Sequence, residues 1–112
     1  MPIARSYPEE EPTRAAIDAT SGLVVLEFGA PWCGICKAAQ PNIEAALRGH
    51  DEVQHIKVYD GQGKPLGRSF KIKLWPTLIA LRDGREVARV VRPERRDQIA
   101  QLLTATAAPS VD

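Results

Sequence analysis

Cys33 and Cys36 are the only cysteines of the chain, and they stand in the run Trp32-Cys33-Gly34-Ile35-Cys36-Lys37. If a helix begins at this point, the two sulfurs lie one turn apart and within disulfide reach. The unpaired N–H groups and the positive end of the dipole at a helix start favour an anion there, which makes Cys33 the natural nucleophile. Cys36 lies deeper against the core, where a thiol tends to keep its proton. Thiol–disulfide exchange uses both characters: a partly exposed thiolate attacks a substrate disulfide, and a second thiol displaces the reduced substrate from the mixed disulfide. That second thiol must lose a proton in an apolar place, and Glu27, in the segment leading into the pair, is the candidate base.

The elements that must hold these groups are legible around them. Leu23 to Phe28 is a continuous apolar run interrupted only by Glu27, as expected of a strand covered on both faces of a mainly parallel sheet. After the turn Gly29-Ala30-Pro31-Trp32, apolar residues at Cys36, Ala39, Ile43, Ala46 and Leu47 trace one face of a helix that starts at the cysteines and stops near Gly49. Pro41 inside it removes a backbone donor and predicts a kink. Further elements are a short helix over Pro12–Ala19, a strand over Val53–Tyr59, a Gly-broken helix within Gln62–Lys71 and a strand over Thr77–Leu81. Asp83-Gly84 then predicts a hairpin to an antiparallel strand over Val87–Val91, and Pro93 opens a last helix with Ile99, Leu102 and Leu103 on one face. Residues 1–11 offer at most a short edge strand near Ile3–Ser6. The whole reads as one α/β domain over 1–112, with 1–11 and 107–112 as poorly ordered tails.

Composition narrows the function classes. A chain of 112 residues, 44% hydrophobic and 26% charged, fits one globular domain. Fifteen Lys and Arg against fourteen Asp and Glu leave a net charge of +1, without the basic excess of a nucleic-acid-binding surface. The longest apolar stretch, Leu23 to Leu26, is far short of the roughly 20 residues that span a bilayer. No apolar segment follows Arg5, so no secretory signal is visible and a cytoplasmic protein is expected. Two cysteines are too few for a disulfide framework, and His50 and His55 lack the spacing to complete a zinc site with them. Both histidines are expected at the surface or at strand ends, without a special task.

Taken together, Phe28, Ala30, Trp32-Cys33-Gly34-x-Cys36-Lys37, Pro41, Trp75-Pro76-Thr77 and the Asp83-Gly84 hairpin resemble the thioredoxin family over roughly residues 20 to 105. The resemblance implies the thioredoxin fold, a central mixed four- to five-stranded sheet flanked by helices on both faces. It implies Pro76 in the cis form, presenting the backbone of Trp75 to an extended substrate segment. Glu27 takes the place of the family's buried Asp, with Lys57 as its partner. The docking surface implied is Trp32, Gly34, Ile35, Trp75, Pro76, Thr77 and Val91. The chain departs from the family at Ile35, which replaces a proline, at Gly29, which replaces an aromatic residue, at Trp75, bulkier than the usual Ile, and at Val91, read in place of a groove glycine.

The reading is a monomeric protein-disulfide reductase needing neither metal nor organic cofactor, with disulfide-containing proteins as substrates. The resemblance implies an NADPH-dependent flavoprotein reductase as a possible electron donor. The alternatives are a binding module of the same fold with little redox turnover, and an oxidase or isomerase separated from a reductase by redox potential alone.

Overall fold

The apolar run that begins at Leu23 forms the central strand β1 (Leu23–Gly29), in which every residue from Val24 to Gly29 is buried. It pairs in parallel with β2 (Val53–Tyr59) and antiparallel with β3 (Thr77–Arg82), and β3 pairs antiparallel with β4 (Arg85–Val91). The sheet order is β2-β1-β3-β4, so the described sheet has four strands. The computed structural model describes residues 3, 4 and 6–107. Of the edge strand expected near Ile3–Ser6, Ile3, Ala4 and Ser6 carry no strand, and Arg5 lies outside the described residues, as do residues 108–112 of the expected tail.

Alternation along β1 divides the core in two. Val24, Leu26 and Phe28 point to the face covered by α1 (Arg14–Asp18) and α3 (Pro65–Ser69), packing with Ile17, Val58, Leu66, Phe70, Ile79 and Leu81. Val25 points to the other face, where α2 (Gly34–Leu47) and α4 (Arg96–Ala107) contribute Ala39, Ile43, Leu47, Ile99 and Leu103. Each large apolar side chain withdrawn from water contributes roughly 1.5–3 kcal/mol. Helices on both faces explain why β1 is apolar without alternation.

Local chemistry sets the boundaries. Thr13 caps α1 by accepting from the Ala16 N–H, and Pro65 takes the first turn of α3 after a loop in which Gly63 has φ +82°, so this helix is shorter than the expected Gln62–Lys71. Asp83 and Gly84 both have positive φ, 51° and 82°, the type I′ geometry that joins β3 to β4. Gly84 also lies against α1, where a Cβ would stand 1.9 Å from the Asp18 carbonyl oxygen. The last helix begins at Arg96, later than Pro93, because the Gln98 side chain accepts from the N–H groups of Glu94 and Arg95 at 2.7 and 2.9 Å and holds them as its cap. Helix α2 runs through Pro41 and is followed by Gly49 with φ +87°.

Candidate active site

Where β1 ends, a tight turn in which the Cys33 N–H bonds to the Ala30 carbonyl at 3.2 Å brings the chain to the start of α2. Cys33 is the N-cap of that helix, and its sulfur accepts from the Cys36 N–H at 3.2 Å. Both cysteines are free thiols, Cys33 half-buried and Cys36 only 1% exposed. Burial pushes the Cys36 thiol up to about 12, aided by its hydrogen bond with Cys33 and the negative charges of Cys33 and Glu27, while a backbone hydrogen bond at Ala30 works the other way.

Glu27, on the face of β1 that meets α2, is fully buried. One carboxylate oxygen is 2.9 Å from His55 Nε2; the other accepts from Gln40 Nε2 at 2.8 Å and lies 3.6 Å from Lys57 Nζ. Gln40 ties the group together, accepting from Lys57 Nζ at 3.0 Å and donating to the Cys36 carbonyl at 2.9 Å. Burial by itself would raise the Glu27 carboxyl, but the hydrogen bonds from His55 and Gln40 and the charge of Lys57 outweigh it and hold the group below its ordinary range. Lys57 is thus a partner of Glu27, and not the sole one.

His55 corrects the sequence reading: it is buried, and it bonds the central carboxylate. The Ala4 N–H donates to its Nδ1 at 3.0 Å, so Nε2 carries the ring hydrogen and donates to Glu27. The alternation of β2 holds the signal for this placement, since 53, 55 and 57 share one side of the strand and all three are buried. Gln40 left no such mark, because on a helix its polar type reads as solvent-facing.

The rim forms opposite the cysteines. The Trp75–Pro76 peptide bond is cis. Trp75 meets Trp32 edge to face with centroids 5.4 Å apart, and Trp75 Nε1 donates to Asp60 at 2.9 Å. Gly67 makes room for that carboxylate, since a Cβ there would stand 1.9 Å from Asp60 Oδ1. Trp32, Ile35, Leu74 and Val91 are large apolar side chains left exposed, Trp32 at 65%. Gly34 is exposed, with open space around it. Thr77 is buried instead of lining the rim, because its hydroxyl donates to the Leu74 carbonyl at 2.6 Å. The left-handed backbone that favours glycine falls at Arg92, φ 49°, one residue beyond Val91, which ends β4 opposite Thr77. Arg92 spans the cis bond, its N–H bonding the Pro76 carbonyl at 2.8 Å and its Nε the Trp75 carbonyl at 2.9 Å.

Beside Cys36 opens a cavity of about 410 Å³ lined in part by Tyr7, Pro31, Cys36, Gln40 and Lys57. Tyr7 reaches it from the segment before α1, with Lys57 Nζ 4.7 Å from its ring centre. Gly29 explains the fit: a Cβ there would stand 2.7 Å from the Cys36 sulfur and 2.9 Å from the Tyr7 oxygen, so both occupy space that a side chain would take. Among the described residues no group of three or more His, Cys, Asp or Glu side chains is placed to hold a metal ion, and no helix is long and apolar enough to cross a membrane.

Two thiols so divided, one reachable at a helix start and one withheld beneath it beside a buried carboxylate, are the working part of a dithiol oxidoreductase on an open α/β sheet. Comparison with known proteins agrees with the geometry. The family model described as Thioredoxin matches residues 8–105. The chain is 36% identical over 85 residues to a thioredoxin of Chlamydia trachomatis, covering 75% of this chain and 82% of that one. It is 31% identical to thioredoxin H-type 1 of Nicotiana tabacum, covering 81% of this chain and 71% of that one. Among solved structures, thioredoxin 2 of Pseudomonas aeruginosa PAO1 in its reduced form superposes with a TM-score of 0.83 at 46% identity, covering 93% of this chain and 96% of that one. The chain belongs to the thioredoxin family. It is a thiol–disulfide oxidoreductase of the protein-disulfide reductase type.

Proposed function

We propose that Cys33 is the attacking sulfur and Cys36 the resolving one. The Cys33 thiolate attacks a substrate disulfide, forming one S–S bond and releasing the first substrate sulfur as a thiolate, which takes a proton from water. Cys36 then loses its proton to Glu27 and attacks Cys33. The Cys33–Cys36 bond forms, the bond to the substrate breaks, and the second sulfur leaves as a thiolate. Two electrons have passed to the substrate, and the chain is left oxidised.

The observation that carries this reading is the unequal burial of the pair. It has a useful consequence for timing. The hydrogen bond with Cys33 and the Cys33 charge both hold the Cys36 proton in place, and both are altered once Cys33 is bonded to substrate. Cys36 therefore becomes easier to ionise in the intermediate that needs it. Gln40 and Lys57 position Glu27 from below, and Trp32, Ile35, Trp75 and Val91 form the apolar rim that receives the substrate chain around Pro76.

Regeneration needs two electrons from outside the domain; we assign them to an NADPH-dependent flavoprotein reductase and the work to a reducing cytoplasm, where such a couple turns over. Insulin reduction with dithiothreitol as electron source tests the central assignment. Cys33→Ser abolishes the activity, and Cys36→Ser accumulates protein covalently bound to insulin. A Cys33→Ser protein as active as the wild type overturns the assignment.

A further inference from the structure

We propose that Tyr7 is a further catalytic residue, its phenolic hydroxyl donating a hydrogen bond to the Cys36 sulfur as that sulfur becomes a thiolate. The inference rests on the reading of Cys36 as the resolving thiol. The hydroxyl is buried without a well-formed hydrogen bond among the described residues, and Tyr7 lines the cavity beside Cys36. Its oxygen and the Cys36 sulfur crowd the same point above Gly29. The missing side chain at position 29 is therefore a condition of their approach.

A buried hydroxyl normally finds a partner. A neutral thiol is a weak acceptor, whereas a thiolate is a strong one. The contact is therefore poor in the resting state and tightens as charge develops on sulfur, which is the differential binding that lowers a barrier. Burial, with the negative charges of Glu27, Cys36 and Cys33 close by, keeps the phenol protonated, so it acts as a donor throughout. The proton balance is that of the resolving step: the Cys36 proton passes to Glu27, Tyr7 keeps its own, the Cys33–Cys36 bond forms and the substrate sulfur leaves. Lys57 lies over the Tyr7 ring, and the attraction between its ammonium and the ring face helps fix the ring's position.

Tyr7→Phe keeps the ring and removes only the hydroxyl. Reduced protein is mixed rapidly with insulin, quenched with acid and alkylating agent, and the mixed disulfide and both end states are counted by mass spectrometry between pH 6 and 9. The expected result is an unchanged rate of attack by Cys33, a resolving rate about tenfold lower, accumulation of the mixed disulfide, and a pH profile of the resolving step displaced to higher pH. Placing 3-fluorotyrosine at position 7, the same shape with a stronger donor, resolves at least as fast as the wild type. Resolution by Tyr7→Phe at the wild-type rate over this pH range overturns the proposal, as does an equal loss in both steps with 3-fluorotyrosine no better than Phe. If Cys36→Ser resolves as the wild type does, the assignment of Cys36 itself fails, an outcome separate from any behaviour of Tyr7.

Discussion

Glu27 is a fully buried carboxylate whose charge is held by three side chains from two other elements, His55 and Lys57 of β2 and Gln40 of α2. Because its proton affinity is lower in the folded chain than in the unfolded one, its contribution to stability is complete above the ordinary value of 4.5 and is lost as the pH falls below it. In urea unfolding, Glu27→Gln is expected to cost about 3 kcal/mol near pH 7, since it leaves the Lys57 ammonium buried without its counter-charge. The difference from wild type should shrink as the pH falls below that value. Cys36 has the opposite sign. Raised to about 12 from 9.0, it favours the fold fully below pH 9 and loses that contribution as the pH rises from 9 towards 12. The unfolding free energy of the wild type should therefore decline across that window, and Cys36→Ala should remove that part of the slope.

At the scale of elements, glycines at two helix and hairpin ends make contrasting demands. Gly49 has φ +87° with nothing near a Cβ, whereas Gly84 has φ +82° and backbone oxygen of Asp18 at 1.9 Å. Gly49→Ala should cost about 1–2 kcal/mol through backbone conformation alone. Gly84→Ala should cost about 3 kcal/mol or more, because the hairpin must also move off α1. Urea midpoints of the two variants decide this, and equal midpoints would refute it.

The same scale shows what could be read in advance. Strand β1 declared itself because burial on both faces demands an unbroken apolar run, and α2 because its apolar period starts at the cysteines. The start of α4 was displaced from Pro93 to Arg96 because a Gln98 side chain three residues on decides the cap, a contact that apolar periodicity does not encode. Cys33, Cys36 and Glu27 were legible from type and placement. His55 was hidden in plain alternation, whereas Tyr7 and Asp60 reach their positions only through tertiary packing, the first above Gly29 and the second beneath Trp75.

At the scale of the molecule, one end of the sheet gathers the apolar rim, the cis bond and the reachable thiol. Trp32, exposed and edge to face with Trp75, is expected to contribute to substrate docking as a central aromatic anchor does. Trp32→Ala should raise KM for insulin roughly tenfold while leaving the reduction of a small disulfide such as cystine nearly unchanged. Arg92 acts in the other direction, because its guanidinium already occupies the Trp75 carbonyl that an extended substrate would seek. Arg92→Gly suits the φ of 49° and frees that acceptor, so KM for insulin should fall about fivefold, the equivalent of one hydrogen bond of about 1 kcal/mol.

The two tryptophans in contact at the rim are also the only two in the chain. All indole emission of the molecule therefore arises beside the redox pair, with no background from elsewhere in the fold. A change in the oxidation state of the neighbouring sulfurs, or a docked partner that excludes water from the rim, is therefore expected to register in that emission. The unlabelled molecule thus carries its own optical gauge of both its oxidation state and its occupancy.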